Sequence, residues 1–210
     1  MADPGQIVIL NGAPRSGKSS IVAAIQESFP GVWTNLGVDV FTRFIIPPRY
    51  RPGIGLRPGS ERPEIEALVP AFYAALYSSV AAFSRLGLNV VVDVGHHEAY
   101  SRPLSVLPDA ARRLSGLPVL FVGVLCPVDV IMARRAAGEE GREGTYLTSG
   151  PAGEVPVPVL RWQEDVHRGN SYDLVVDTSQ LSPAQCAKLI WQRMEQGPGS
   201  TSWLGRMEPE

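Results

Sequence analysis

The chain is 210 residues long, 44% hydrophobic and 19% charged, and its nineteen basic and twenty-one acidic side chains leave a net charge of −2. This is the composition of an ordinary globular domain. It excludes a wholly disordered chain and a global positive field that would make nucleic acid the expected partner, and no apolar run approaches the ~20 residues of a membrane span.

Only two of the nineteen basic residues are lysines, Lys18 and Lys188, so each marks a departure from the chain's preference for arginine. Met1 to Gly5 is short and carries Asp3, unlike a secretory leader. Cys126 and Cys186 lie far apart in apolar surroundings, which predicts packed free thiols and a cytoplasmic protein.

Gln6 to Asn11 (QIVILN) reads as a strand buried on both faces. Gly12 to Ser19 (GAPRSGKS) follows it directly, and Lys18 to Phe29 reads as a helix with Ile21, Val22, Ile25 and Phe29 on one side. The eight residues match G-x-x-x-x-G-K-[ST] throughout, in the strand–turn–helix setting that the motif requires. Glycines let backbone N–H groups converge on one phosphate, and the helix N-terminus adds partial positive charge. Gly12, Ala13, Pro14, Arg15, Ser16, Gly17, Lys18, Ser19 and Ser20 are therefore the expected nucleotide-binding set. Lys18 is expected to bridge the β- and γ-phosphates, and Ser19 to offer its hydroxyl to Mg²⁺, with ATP or GTP as the nucleotide.

A short strand over Val32 to Leu36 leads to Asp39, and Val40 to Phe44 begins a helix. Asp39 emerges at the carboxyl edge of the sheet, where it is either a base for an acceptor hydroxyl or a cap for that helix. Phe41 and Phe44 are candidate acceptor contacts in an apolar segment running to Leu56. Residues 45–63 are rich in proline and glycine and read as a loop, either a surface insertion or an acceptor loop. Arg43, Arg49, Arg51, Arg57 and Arg62 in and beside it are either solvated charges or contacts for an anionic acceptor.

Glu64 to Leu86 predicts one long helix kinked at Pro70. Asn89 to Val94 and Pro118 to Leu125 are further buried strands, with partly helical structure between them broken near Pro103 and Pro108. Asp93 closes the first of these strands and is the expected metal-side carboxylate, preferred over Asp177 because its strand should neighbour the phosphate-loop strand. His96 and His97 follow at the same edge as candidate acceptor contacts, without the spacing of a zinc site.

Val128 to Ala137 is helical and ends in Arg134 and Arg135; Arg142 follows, and residues 138–158 read as a lid. Each arginine is either a clamp on the transferred phosphate or a solvated helix-end cation. Leu160 to Val166 is a short helix, Asp173 to Asp177 the last strand, and Ser182 to Met194 the last helix. Residues 197–210 read as a loose tail in which Trp203 and Leu204 have no evident role. Apolar strands alternating with helices predict an α/β fold with a doubly wound, mainly parallel five-stranded sheet in one domain, 1–196.

GAPRSGKS after ILN, LGVD, SRLGLNVVVDV, VGVLC and VHRGNSYDLVVDTS, in that order over residues 6–179, resemble the chloramphenicol phosphotransferase-like family of small P-loop kinases. The resemblance implies a nucleoside-monophosphate-kinase-like fold and phosphorylation of a small-molecule hydroxyl, on an antibiotic or another hydroxylated natural product, for resistance or biosynthesis. The family's base falls on Asp39. Its closing arginines fall on Arg134, Arg135 and Arg142, with a departure at Gly138 to Gly141, where an arginine of the family pattern is missing. A nucleoside or nucleotide kinase, and a non-catalytic nucleotide-binding module, stand as alternatives; self-association is left open.

Overall fold

The computed structural model describes residues 3–59, 62–138, 147–150, 153–197 and Trp203. The apolar runs form five strands: β1 (Ile7–Asn11), β2 (Trp33–Asn35), β3 (Asn89–Val94), β4 (Val119–Leu125) and β5 (Leu174–Asp177). They make one sheet in the order β2-β3-β1-β4-β5, every pairing parallel. After β1 the chain crosses to the β3 side; after β3 it jumps over β1 to β4. The reversal opens a crevice at the carboxyl end of β1, where doubly wound sheets bind ligands.

Successive residues of a strand point to opposite faces, so the two cores can be read from one strand. Ile7 and Ile9 join Val90, Val92 and Phe121 beneath helices α4 (Val69–Arg85) and α5 (Val106–Leu114). Val8 and Leu10 join Val91 and Val122 beneath α1 (Lys18–Ser28) and α8 (Pro183–Glu195). Burying each such side chain contributes about 1.5–3 kcal/mol, which is why every β1 residue is apolar except the last, Asn11. The remaining helices are α2 (Val38–Phe44), α3 (Pro63–Glu66), α6 (Val128–Ala136) and α7 (Val157–Asp165). Ser182 caps α8 in a capping box with Gln185.

Several local expectations change. The single helix over 64–86 is two, α3 and α4, because Pro70 takes the first turn of a new helix, where its missing N–H costs nothing. Pro108 likewise sits in the first turn of α5 and does not break it. Helix α7 starts at Val157, earlier than the apolar spacing indicated, with Pro158 in its first turn.

Residues 47–59 are not a floppy insertion. The segment makes two single 3₁₀ turns at Pro48–Tyr50 and Gly53–Gly55, and Ile46, Ile54 and Leu56 are buried in the α4-side core. Tyr73 Oη donates to Ile54 O at 3.1 Å. Trp203 is also anchored: its ring packs 4.8 Å from Phe121, and its N–H donates to Asp173 Oδ1 at 2.6 Å.

Cys126 and Cys186 are buried free thiols. Among the described residues no helix is long and apolar enough to cross a membrane.

Candidate active site

The loop from Gly12 to Gly17 turns the chain from β1 into α1. Gly17 adopts φ 97° at the helix N-cap, a left-handed conformation that glycine takes without penalty, and no side chain caps the helix. The first N–H groups of α1 are thereby left for an anion. Lys18 Nζ folds back to donate to Gly12 O at 2.7 Å and Ala13 O at 2.9 Å. Burial lowers its pKa to about 8, opposed by the nearby charges of Asp93 and Asp39. Arg15 takes φ 72°, unusual for a side-chain-bearing residue, and its guanidinium donates to Arg134 O at 2.5 Å and Gly138 O at 3.0 Å.

Asp93 pairs in register with Leu10, and so shares the sheet face that carries α1. That phase brings its Oδ2 within 3.0 Å of Ser19 Oγ, which donates to it. Burial raises the Asp93 pKa, against the attraction of Lys18. Gly37 leaves the room: a Cβ there would stand 1.6 Å from Asp93 Oδ1. Asp177, the rival carboxylate, closes its own turn by accepting from Ser179 N at 2.8 Å and Ser179 Oγ at 2.7 Å. A hydroxyl and a carboxylate with open space before them are oxygen donors of the kind Mg²⁺ takes when substrate phosphates complete its shell. The residues present fit that ion. Among the described residues no group of three or more His, Cys, Asp or Glu side chains forms a metal cage.

A cavity of about 920 Å³ extends from this loop across the carboxyl edge, large enough for two small-molecule substrates. Gly12, Pro14, Arg15, Lys18, Ser19 and Asp93 line one end. Val38, Asp39, Thr42 and Arg43 of α2 line the cavity too, at the i, i+1, i+4, i+5 spacing of one helix face, with Asp39 near enough for its charge to act on Lys18 and Asp93. Trp162 and Val159 of α7 close a side wall with Gly95.

Other candidates lie elsewhere. Phe41 points to the core at 5% exposure and Phe44 to solvent at 74%, so neither lines the cavity. Helix phase separates them from Asp39 and Arg43.

His96 and His97 are buried and are not cavity walls. His96 Nε2 meets Tyr77 Oη at 2.5 Å, its N–H donates to Asn11 Oδ1 at 2.7 Å, and burial lowers its pKa to about 3. His97 Nε2 lies 2.9 Å from Leu56 O. Both fasten loops to the sheet edge.

Arg134 lies behind the phosphate loop, off the cavity wall. It donates to Thr178 Oγ1 at 3.1 Å and Thr178 O at 2.8 Å, while Thr178 Oγ1 donates to Ser16 O at 2.6 Å. Arg135 does line the cavity, 7% exposed, and donates to Leu147 O at 3.2 Å. Arg142 lies outside the described residues. Ala13 and Ser16 are buried within the loop and Ser20 is exposed on α1, none of them on the wall.

The cavity also recruits residues that the sequence left undecided: Arg43, Arg51, Arg57 and Arg62, though not Arg49. The spacing from Asp39 to Arg43 was a usable signal for one of them. Nothing local in the sequence marks Trp162.

A family model described as chloramphenicol phosphotransferase-like protein matches residues 5–195. Two Mycobacterium tuberculosis strains hold a provisionally named O-phosphotransferase that is 28% identical over 134 residues, 57% of this chain and 57% of the relative. The matched stretch thus spans little more than half of those relatives. Among solved structures, an unliganded sugar kinase from Janibacter sp. is similar over 99% of this chain and 100% of its own, with TM-score 0.61 and 15% identity. The APS kinase of Mycobacterium tuberculosis, in complex with AMPPNP and APS, covers 92% of this chain and 99% of its own, with TM-score 0.59 and 17% identity. A gluconokinase from Sinorhizobium meliloti covers 93% and 99%, with TM-score 0.55 and 22% identity. At these identities the likeness is one of fold, that of small P-loop kinases.

Proposed function

Since the chain belongs to the chloramphenicol phosphotransferase-like family, we propose that it is a phosphotransferase that moves the γ-phosphoryl group of ATP or GTP to a hydroxyl of a small molecule. The observation that carries this reading is the joining, in one cavity, of the phosphate loop with Lys18, the Ser19–Asp93 pair and Asp39. A module that only senses nucleotide has no use for the remainder of that cavity.

In this reading the loop amides and Lys18 hold the β- and γ-phosphates. Ser19 and Asp93 would hold Mg²⁺, which when bound would neutralise charge on the phosphate oxygens. Asp39 accepts the proton of the acceptor hydroxyl. The acceptor oxygen forms a bond to the γ-phosphorus as the bond from that phosphorus to the β–γ bridging oxygen breaks, and the nucleoside diphosphate leaves with the bridging oxygen. Arg135 lies on the cavity wall to stabilise charge on the group in flight, and Arg134 keeps the loop in shape.

The acceptor is a small hydroxylated compound, with a chloramphenicol-like natural product as the narrower reading taken from the family. A nucleoside or nucleotide acceptor is the second reading, favoured by the arginines on the acceptor side. Buried free Cys126 and Cys186 suit a reducing compartment.

The test is mass spectrometry of hydroxylated compounds incubated with protein, ATP and Mg²⁺. One product gains a single phosphate, and Asp39→Asn lowers its turnover about 10²–10⁴-fold, the usual contribution of a general base. A slow ATPase that needs no acceptor, yields no phosphorylated compound and is indifferent to Asp39→Asn would overturn the reading.

A further inference from the structure

The cavity walls carry seven cations, Arg15, Lys18, Arg43, Arg51, Arg57, Arg62 and Arg135, and among the described residues only two carboxylates, Asp39 and Asp93. Lys18, Arg15 and Arg135 belong to the phosphate-loop end. The other four come from α2 and from the segment that follows it.

Two of these four are committed elsewhere. Arg51 donates to Ile46 O at 3.0 Å and Arg43 O at 2.6 Å, tying the segment onto α2. Arg62 pairs with Glu64 at 2.5 Å.

Among the described residues the remaining two carry no counter-charge. Arg57 is half-buried and makes no hydrogen bond, ion pair or ring contact among the described residues. Arg43 lines the cavity but is exposed; it has no carboxylate partner among the described residues, and its guanidinium lies over the Phe44 ring, 5.6 Å from the centroid. Arg49, nearby in sequence, is instead outside the cavity and stacked 4.7 Å over Tyr50.

A partly buried guanidinium without a counter-charge, as at Arg57, is a costly arrangement unless a ligand supplies one, and its planar fork matches the oxygens of a phosphate or a carboxylate. Several guanidinium groups in one concave wall also focus a positive potential that draws in anions. Resting on the phosphotransfer reading above, we infer that the acceptor carries, besides its hydroxyl, an anionic phosphate or carboxylate group, which Arg43 and Arg57 bind while Asp39 faces the hydroxyl. Val38, Ile54, Leu56, Val159 and Trp162 line the same cavity, so the acceptor combines an apolar body with this anionic group. Arg51 and Arg62 act as positioning residues for the segment that presents Arg57.

Thermal denaturation with inorganic phosphate as the probe tests the site without knowledge of the acceptor. The protein is first saturated with Mg²⁺ and AMPPNP, which fills the phosphate-loop end and raises Tm. Added millimolar phosphate should then raise Tm further. The second shift should vanish in Arg57→Gln and Arg43→Gln, and persist in Arg49→Gln. No second shift, or one that the Arg57 and Arg43 variants retain, overturns the anion site.

Turnover of matched acceptor pairs then separates the two sources of charge: nucleosides against nucleoside 5′-monophosphates, and sugars against sugar phosphates and aldonates. Phosphorylation of a phosphate or carboxylate member, with Arg57→Gln raising its KM more than tenfold, supports the assignment. Comparable turnover of the neutral partners, or of chloramphenicol, by wild type and Arg57→Gln alike overturns it and leaves phosphotransfer standing. Failure of AMPPNP to raise Tm at all instead strikes the phosphotransfer reading.

Discussion

Lys18 is the residue in which sequence and environment meet most closely. The phosphate loop needs a slender point charge between two phosphates, and a chain that otherwise prefers arginine keeps lysine there. Its ammonium donates to Gly12 O and Ala13 O, and burial lowers its pKa to about 8. The ammonium must be charged to hold phosphate, so above that pH nucleotide binding has to take up a proton. Affinity for Mg²⁺–AMPPNP should therefore be flat below about pH 7.5 and weaken by about tenfold per unit well above pH 8, as proton linkage requires. Titration calorimetry from pH 6 to 9.5 in buffers of different ionisation heat measures both the bend and the proton; a flat profile through pH 9.5 would contradict it. The motif letters alone identified Lys18 and Ser19. Both Asp93 and Asp177 close an apolar strand, and the strand order expected of a doubly wound sheet favours Asp93; in the structure β3 lies beside β1 and Asp93 on the α1 face.

At the scale of elements, helix phase and close packing decide who reaches the cavity. Helix α2 presents Val38, Asp39, Thr42 and Arg43 to it, and turns Phe41 into the core and Phe44 to solvent. Of the apolar segment that runs to Leu56, Ile54 and Leu56 line the cavity and the two phenylalanines do not. The turn before α2 is held by Asn35 Oδ1, which accepts from Gly37 N at 2.8 Å, and Gly37 lies against the Asp93 carboxylate. Gly37→Ala places a methyl group where Asp93 Oδ1 now stands, so Asp93 must move away from Ser19. Turnover should fall by about 10²-fold or more, the usual result of an ångström of misplacement, and the Mg²⁺ concentration for half-maximal rate should rise. Asp93→Asn, combined with Gly37→Ala, should add little further loss, since the two changes act on one group; full additivity in the rates would refute the shared cause. The composition of the proline-rich segment predicts a loop and nothing about where it packs. Its anchoring became visible only with Ile46, Ile54 and Leu56 in the core and Tyr73 Oη on Ile54 O.

For the molecule as a whole, the site lies at the carboxyl edge of a sheet whose two faces are covered by separate helix pairs, so stability and chemistry are spatially divided. Trp203 belongs to the first: it is 3% exposed in the α4-side core against Phe121, at the middle of β4 and away from the phosphate loop. Trp203→Ala should cost about 3–5 kcal/mol in urea unfolding, as large aromatic truncations do, while the Kd for Mg²⁺–AMPPNP stays unchanged. A loss under about 1 kcal/mol would mean that the tail is as loose as its composition implied. The sequence by itself determined the elements that arise from local pattern: apolar runs that can only be buried strands, a glycine-rich turn whose spacing serves a phosphate, a cap at Ser182. Tertiary structure decided the rest, namely that Asp93 meets Ser19, that Arg134 braces the loop while Arg135 lines the cavity, and that Arg43, Ile54, Leu56 and Arg57 line it while Phe41 and Phe44 do not. The reason is geometric: a residue's type sets what it can bind, but the direction of its side chain follows from strand register and helix phase, which are fixed only when both faces of the sheet are packed.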